Sequence, residues 1–186
     1  MAYKHNKSKV EQVEFARHAS YVKRMHVHRI VGDYTSHEHV NNMQNMYLLL
    51  CPSPTLNGVK AIQWHDAGEP GPGDVPSPAK AFFGLGQAIN NIERCVRENF
   101  GLEVEGLTSY DSWWLKALDL LEFYLFCQDQ LNLGNNFIMH KAVKVRDFID
   151  KIVVNNGWPN ELTEYYLEIR ESRPFVNDDQ VLEMRE

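Results

Sequence analysis

The stretch "WHDAGEPGPGDVPSPAK", residues 64–80, crowds an imidazole and carboxylates together: His65 and Asp66 are adjacent, Glu69 follows three residues on, and Asp74 sits in a glycine–proline loop. A surface loop needs neither the imidazole nor the apolar lead-in. A buried segment does not tolerate lone carboxylates, because an ionised carboxylate stripped of water is costly unless something compensates it. A divalent metal ion reconciles the two, and its other ligands can be sought along the chain. His39 stands in "SHEHV", and Asp119 sits among apolar residues in "WWLKALDLLEF", where a carboxylate calls for a cation. Two imidazoles and two carboxylates from three segments form a mixed nitrogen–oxygen set. It suits one borderline first-row ion, with positions left for water and substrate. Each residue alone also has an ordinary reading: a hydrogen-bonded structural His39, or an Asp119 paired with Lys116 one turn away. The conjunction points to a metal.

The elements that must bring these residues together are helical. The apolar spacing predicts a helix over 8–22 (Val10, Val13, Ala16, Ala19), then a mixed loop through "KRMHVHRIVGDYT". A second helix is expected from Ser36, as N-cap, to about 51, carrying Val40, Met43, Tyr47 and Leu50 on one face. A third starts at "SPTL", carries Ile62 and His65, and ends near Glu69, where prolines and glycines stop it. Neighbouring helical residues diverge by roughly 100°. His65 and Asp66 can therefore share an ion only at a helix end or between helices. Ser77 and Pro78 read as N-cap and N1 of a helix to about Asn99, with the stripe Phe82, Leu85, Ile89, Ile92 and Val96. Further helices are expected over about 109–131 (stopped by Gly134), over about 136–155, and from "WPNELTEYYLEI" with Pro159 at N1. With little that reads as strand, the expectation is an all-α bundle of six to seven helices forming a single domain over residues 1–186, with 170–186 a loose tail.

Composition narrows the function. A chain of 186 residues is long enough for an ample core. No apolar run approaches the roughly 20 residues of a membrane span, and "MAYKHNKSKVEQVEF" is too polar for a signal peptide. The odd, dispersed cysteines Cys51, Cys95 and Cys127 fit reduced thiols in the cytoplasm. A net charge of −6 argues against a nucleic-acid polymer as partner. An anionic small substrate held by a few local cations remains open.

The order His39, then His65–Asp66, then Asp119 resembles the HD-domain phosphohydrolases. "HDAGEPGPGDVPSPAK" is similar to the H-D-x-x-E-x-x-x-G-D-[ILV]-P-[ST]-P-x-K pattern of their 5′-deoxynucleotidase branch, which includes phage-type dATP triphosphohydrolases. Arg24 in "VKRMH" stands fifteen residues before His39, the family's spacing, and so selects His39 over His37. "KALD" resembles the family's Lys-x-x-Asp before the last ligand. The resemblance spans roughly residues 10–135.

What the resemblance implies is a metal-dependent hydrolase that cleaves the 5′-phosphate bond of 2′-deoxyribonucleotides. His39, His65, Asp66 and Asp119 would hold one Co²⁺, Mn²⁺ or Zn²⁺, acting as Lewis acid and template. Glu69 would serve the attacking water as base or orienter. Asp74 would position water or protonate the leaving O5′; its ordinary reading is an Asx-turn. Arg24, Lys80 and Lys116 would hold phosphate oxygens. Lys80 falls in the first turn of a helix, where a cation is mildly unfavourable. Many members carry Trp or Tyr after the Arg; this chain has Met25, which makes Met25, His26 and Val27 expected walls of a differently shaped sugar–base pocket. No histidine lies between Asp66 and Asp119, so a mononuclear site is favoured over a dinuclear one. The monophosphate is the favoured substrate, the triphosphate the alternative, and a non-catalytic helical interaction module the remote one. Members of the family are oligomers, which makes a homo-oligomer the expectation.

Overall fold

The computed structural model describes residues 7–172, and over that span the chain is all-α. The helices are α1 (Lys9–Ala19), α2 (Ser36–Leu50), α3 (Leu56–Trp64), α4 (Ser77–Phe82), α5 (Gly86–Phe100), α6 (Ser109–Asn132), α7 (Met139–Val154) and α8 (Asn160–Ser172). A single 3₁₀ turn, Asn136–Ile138, leads into α7. Most of the tail expected over 170–186 lies outside the described residues; Arg170–Ser172 belong to α8.

α6 is the axis of the bundle. Its 24 residues span roughly 36 Å, and Trp114, Leu118, Leu121 and Tyr124 are fully buried along it. α2 and α3 pack on α6 from one side and α7 from another. Met43 and Tyr47 (α2), Ile62 (α3), Ile149 (α7), and Leu162 and Tyr166 (α8) complete the core. Each such side chain contributes about 1.5–3 kcal/mol by leaving water. A smaller cluster joins α1 to α5, where Phe15 stacks on Phe100 with ring centroids 3.7 Å apart and Ala19 packs with Ala67 and Leu102.

Several expected boundaries shift for local reasons. α2 is capped by Thr35, not Ser36: the Thr35 hydroxyl accepts from Glu38 N–H and the Glu38 carboxylate accepts from Thr35 N–H, a closed capping box. The helix expected over 77–99 is two helices, because Gly84 takes a left-handed φ of +64° and ends α4. This break accounts for the extra helix. α4 begins at Ser77 with Pro76 at the capping position, and α8 begins one residue later than expected, at Asn160. α3 ends at Trp64 and continues as a string of turns through Pro72. The stripe read into α1 faces the smaller core cluster only in its second half, where Ala16 and Ala19 pack, whereas Val10 and Val13 are exposed. The α4–α5 stripe likewise leaves Phe82, Leu85 and Ile92 exposed.

Candidate metal centre

The site forms where α2, the end of α3 and α6 meet. His39 lies one turn into α2 and is fully buried. His65 occupies the residue after the last turn of α3, and the chain departs from helix right behind it. Asp66 can therefore turn toward the same point as His65. Asp119 lies midway along α6 and opens onto a cavity. One ligand atom from each of His39, His65 and Asp119 lies within 4.8 Å of the others. His39 Nε2 is 3.1 Å from Asp119 Oδ1, and Asp66 Oδ2 is 3.2 Å from His65 Nε2 and 3.9 Å from His39 Nε2. Asp119 does not take up the ordinary pairing with Lys116, which is exposed on α6; its carboxylate faces His39 instead.

The imidazoles are oriented from behind. His39 Nδ1 bonds the buried Glu122 carboxylate, which also accepts from the Tyr34 hydroxyl and, at 3.2 Å, from the Asn42 amide. His65 Nδ1 donates to the Ile62 carbonyl at 2.8 Å. Both rings thus turn Nε2 inward, and neither buried Nε2 has a hydrogen-bond partner. Their distances to Asp119 and Asp66 are short, but the angles are not those of hydrogen bonds. The atoms of His39, His65 and Asp119 are grouped closely enough to hold one divalent ion, whereas Asp66 stands beside His65 with its carboxylate ion-paired to Arg24, so the three-residue set fits an ion and Asp66 is not gathered into it.

Electrostatics follow from the crowding. Burial would lower the His65 pKa, but the adjacent Asp66 carboxylate outweighs it and raises it to about 9. Burial is likewise outweighed at His39, which Asp119 and Glu122 raise. Burial would raise Asp66, yet His65 and Arg24 hold it well below the usual carboxylate range. Glu69 moves the other way: burial and the Asp66 charge push it up to about 8. Ser36, displaced from its expected capping role, donates its hydroxyl to Glu69 at 3.1 Å. A buried carboxyl with a pKa near neutrality is suited to exchanging a proton.

A cavity of about 530 Å³ opens beside the ligands. One wall is the loop between α1 and α2, from which Arg24, Met25, Val27 and His28 face the cavity. Arg24 is ion-paired with Asp66, lies 3.9 Å from both Glu69 and Asp119, and packs over the Tyr34 ring. Met25 takes a φ of +55°, uncommon for a non-glycine residue and frequent at sites where function dictates the backbone. The loop is anchored: Arg24 N–H bonds the Tyr34 carbonyl at 2.8 Å, the Gln130 side chain bonds both N–H and C=O of Val31, and Asn135 donates to the Arg29 carbonyl. Asp74 and Pro76 form the lip, and Leu120, Phe123 and Lys141 come from α6 and α7.

Not every predicted residue reaches the cavity. His26 is 3.6 Å from Asp74 but is not in the wall. Lys80 bonds Glu93 of α5 at 3.3 Å, and neither it nor Lys116 lines the cavity. Sequence reasoning missed Tyr34, Glu122 and Lys141. The buried Glu122, three residues past Asp119 in an apolar run, carried the same signal as Asp119 itself. Gly68 also has a role: a Cβ there would lie 2.6 Å from the Glu93 Cα, so only glycine lets α5 cross the turns that carry Asp66 and Glu69.

Among the described residues no helix is long and apolar enough to cross a membrane. Neither a protein-family model nor a curated protein matches this chain.

Proposed function

We propose that this protein is a metal-dependent phosphohydrolase of the HD-domain type that cleaves the 5′-phosphate bond of 2′-deoxyribonucleotides, with the monophosphate as preferred substrate. The observation that carries the reading is the pair of buried Nε2 atoms of His39 and His65, neither hydrogen-bonded, grouped with Asp119 at the edge of a nucleotide-sized cavity and with Asp66 beside them. A divalent cation on these four residues would supply Lewis-acid polarisation of a phosphoryl oxygen and a lowered pKa for water.

The chain's own residues account for the rest. Glu69, held by Ser36, takes a proton from the water whose oxygen bonds to phosphorus. The P–O5′ bond breaks, and Asp74 at the cavity lip supplies the proton that the leaving oxygen needs. Arg24, fixed by Asp66 and Tyr34, presents fixed positive charge to the phosphoryl oxygens. The anchored loop and Phe123 exclude water from the nucleoside side. Among the described residues Arg24 is the cation of the cavity wall that stands beside the candidate ligands. A free triphosphate, with about four charges to neutralise, is served less well than a monophosphate. A homo-oligomer belongs to the same reading, since Phe82, Phe83 and Ile92 are exposed apolar surface that a second copy would cover.

The test is a panel of dNMPs, dNTPs and ribonucleotides with Co²⁺, Mn²⁺ or Zn²⁺, the products separated by anion exchange. Orthophosphate from dNMPs is the expected result. Intact triphosphate from dNTPs would replace it with the triphosphohydrolase. No turnover of any nucleotide would refute both and leave the non-catalytic module. His39→Ala, with metal analysis, should lose metal and activity together.

A further inference from the structure

Lys141 is the cavity cation that the chemistry above does not use. It projects from α7 into the wall, is half-buried, and among the described residues forms no ion pair with a carboxylate. Arg24, by contrast, is already matched by Asp66. A half-buried ammonium without a protein partner is expected to find an acceptor in whatever fills the cavity.

Its position indicates which part of a ligand it would meet. Asp119, Phe123 and Cys127 follow one another at single-turn steps on α6, so Cys127 lies about 12 Å along the helix from Asp119. α7 follows α6 after a short connection and packs back along it, so Lys141, in the first turn of α7, lies level with the last turns of α6, where Cys127 stands. Lys141 therefore enters the wall it shares with His28 from the end of α6 away from Asp119. Between the two ends the wall is apolar: Leu120 and Phe123 on one side, Met25 and Val27 on the other. A row of phosphates laid along that wall would lose its hydration without compensation. A deoxynucleoside fits it, with phosphate at the ligands, sugar and base faces on the apolar middle, and the far edge of the base at Lys141.

On that basis, and resting on the nucleotide reading above, we propose that Lys141 is a specificity-determining residue that donates to the carbonyl oxygen at the far edge of the base. An ammonium has three donors and no acceptor. Thymine O4 and guanine O6 accept from it, whereas the amino groups of cytosine and adenine at the same edge set donor against donor. The cavity therefore selects oxo bases over amino bases.

The experiment compares kcat/KM for dTMP, dGMP, dCMP and dAMP in the wild-type protein, Lys141→Met and Lys141→Arg, with circular dichroism checking the fold. The wild type should favour dTMP over dCMP, and dGMP over dAMP, by about tenfold or more. Lys141→Met should bring both ratios toward one through KM, and Lys141→Arg, which keeps the donors, should retain a preference. Ratios that survive Lys141→Met would overturn the proposal, as would a loss falling on dNTPs and not on dNMPs, which would make Lys141 a phosphate anchor. If the protein hydrolyses no nucleotide, the catalytic reading fails by itself. Equilibrium dialysis with thymidine and deoxycytidine then decides the matter: thymidine binding that is selectively lost in Lys141→Met supports it, and equal or absent binding of the two nucleosides refutes it.

Discussion

Loading the site with metal should expel protons, and the structure sets how many. The His65 pKa is raised to about 9, so at pH 7 its imidazole carries a proton in the metal-free protein. His39 is raised as well, by Asp119 and Glu122 against the opposing effect of burial. Both Nε2 atoms must give up their proton to become ligands. Glu69, pushed to about 8, holds a further proton that a nearby dication would displace. Glu69→Gln removes that contribution and isolates the imidazoles. In this variant, titrating Zn²⁺ or Co²⁺ at pH 7 should release between about one and two protons per ion, measured by isothermal titration calorimetry in buffers of different ionisation enthalpy. The apparent Kd should tighten about tenfold per pH unit for each proton released, between pH 6 and 8. The wild type should release up to one proton more. Stoichiometric binding with no proton release in Glu69→Gln would mean that neither imidazole is a ligand, and the centre proposed here would be wrong.

Glu69→Ala should retain metal by elemental analysis and lose about 10²–10⁴ in kcat, the range for a general acid–base group. Glu122→Gln removes the carboxylate behind His39 and should weaken metal affinity by about 10–100-fold in a chelator competition, with the fold intact by circular dichroism. Thermal melts of the metal-free protein should show Tm falling as pH rises from 6 to 9. The folded state holds protons on Glu69 to about 8 and on His65 to about 9, whereas their ordinary values are 4.5 and 6.5, so the unfolded chain releases them first. The depressed Asp66 acts in the opposite sense, but only in acid, below its ordinary value of 3.8. Gly68→Ala should destabilise by about 1–3 kcal/mol in urea unfolding, because the backbone at Glu93 cannot yield to a new Cβ as a flexible side chain could.

The parts legible in the sequence are those whose physics is local. Helical periodicity and the breaks at Pro70–Gly73 and Gly134 specify an all-α chain, because backbone conformation answers to residues a few positions away. The convergence of His65 with Asp66 follows from the same local rule, since a helix that ends frees its next residue to turn back. Local reasoning overreached at the α4–α5 stripe, where one glycine at φ +64° divides what periodicity reads as continuous. Lys80, singled out by the resemblance and not by local pattern, meets Glu93 of the next helix. Tertiary structure alone decided what stands behind and beside the candidate ligands. Glu122 reaches His39 across 83 positions and Tyr34 across 88, and Gln130 holds Val31 across 99. Lys141 enters the cavity from a helix that follows all four candidate ligands. Such contacts leave no spacing in the chain. They arise because a charged or polar group driven into the core by its apolar neighbours must find a partner, and the packing of α2, α6 and the α1–α2 loop determines which one it meets.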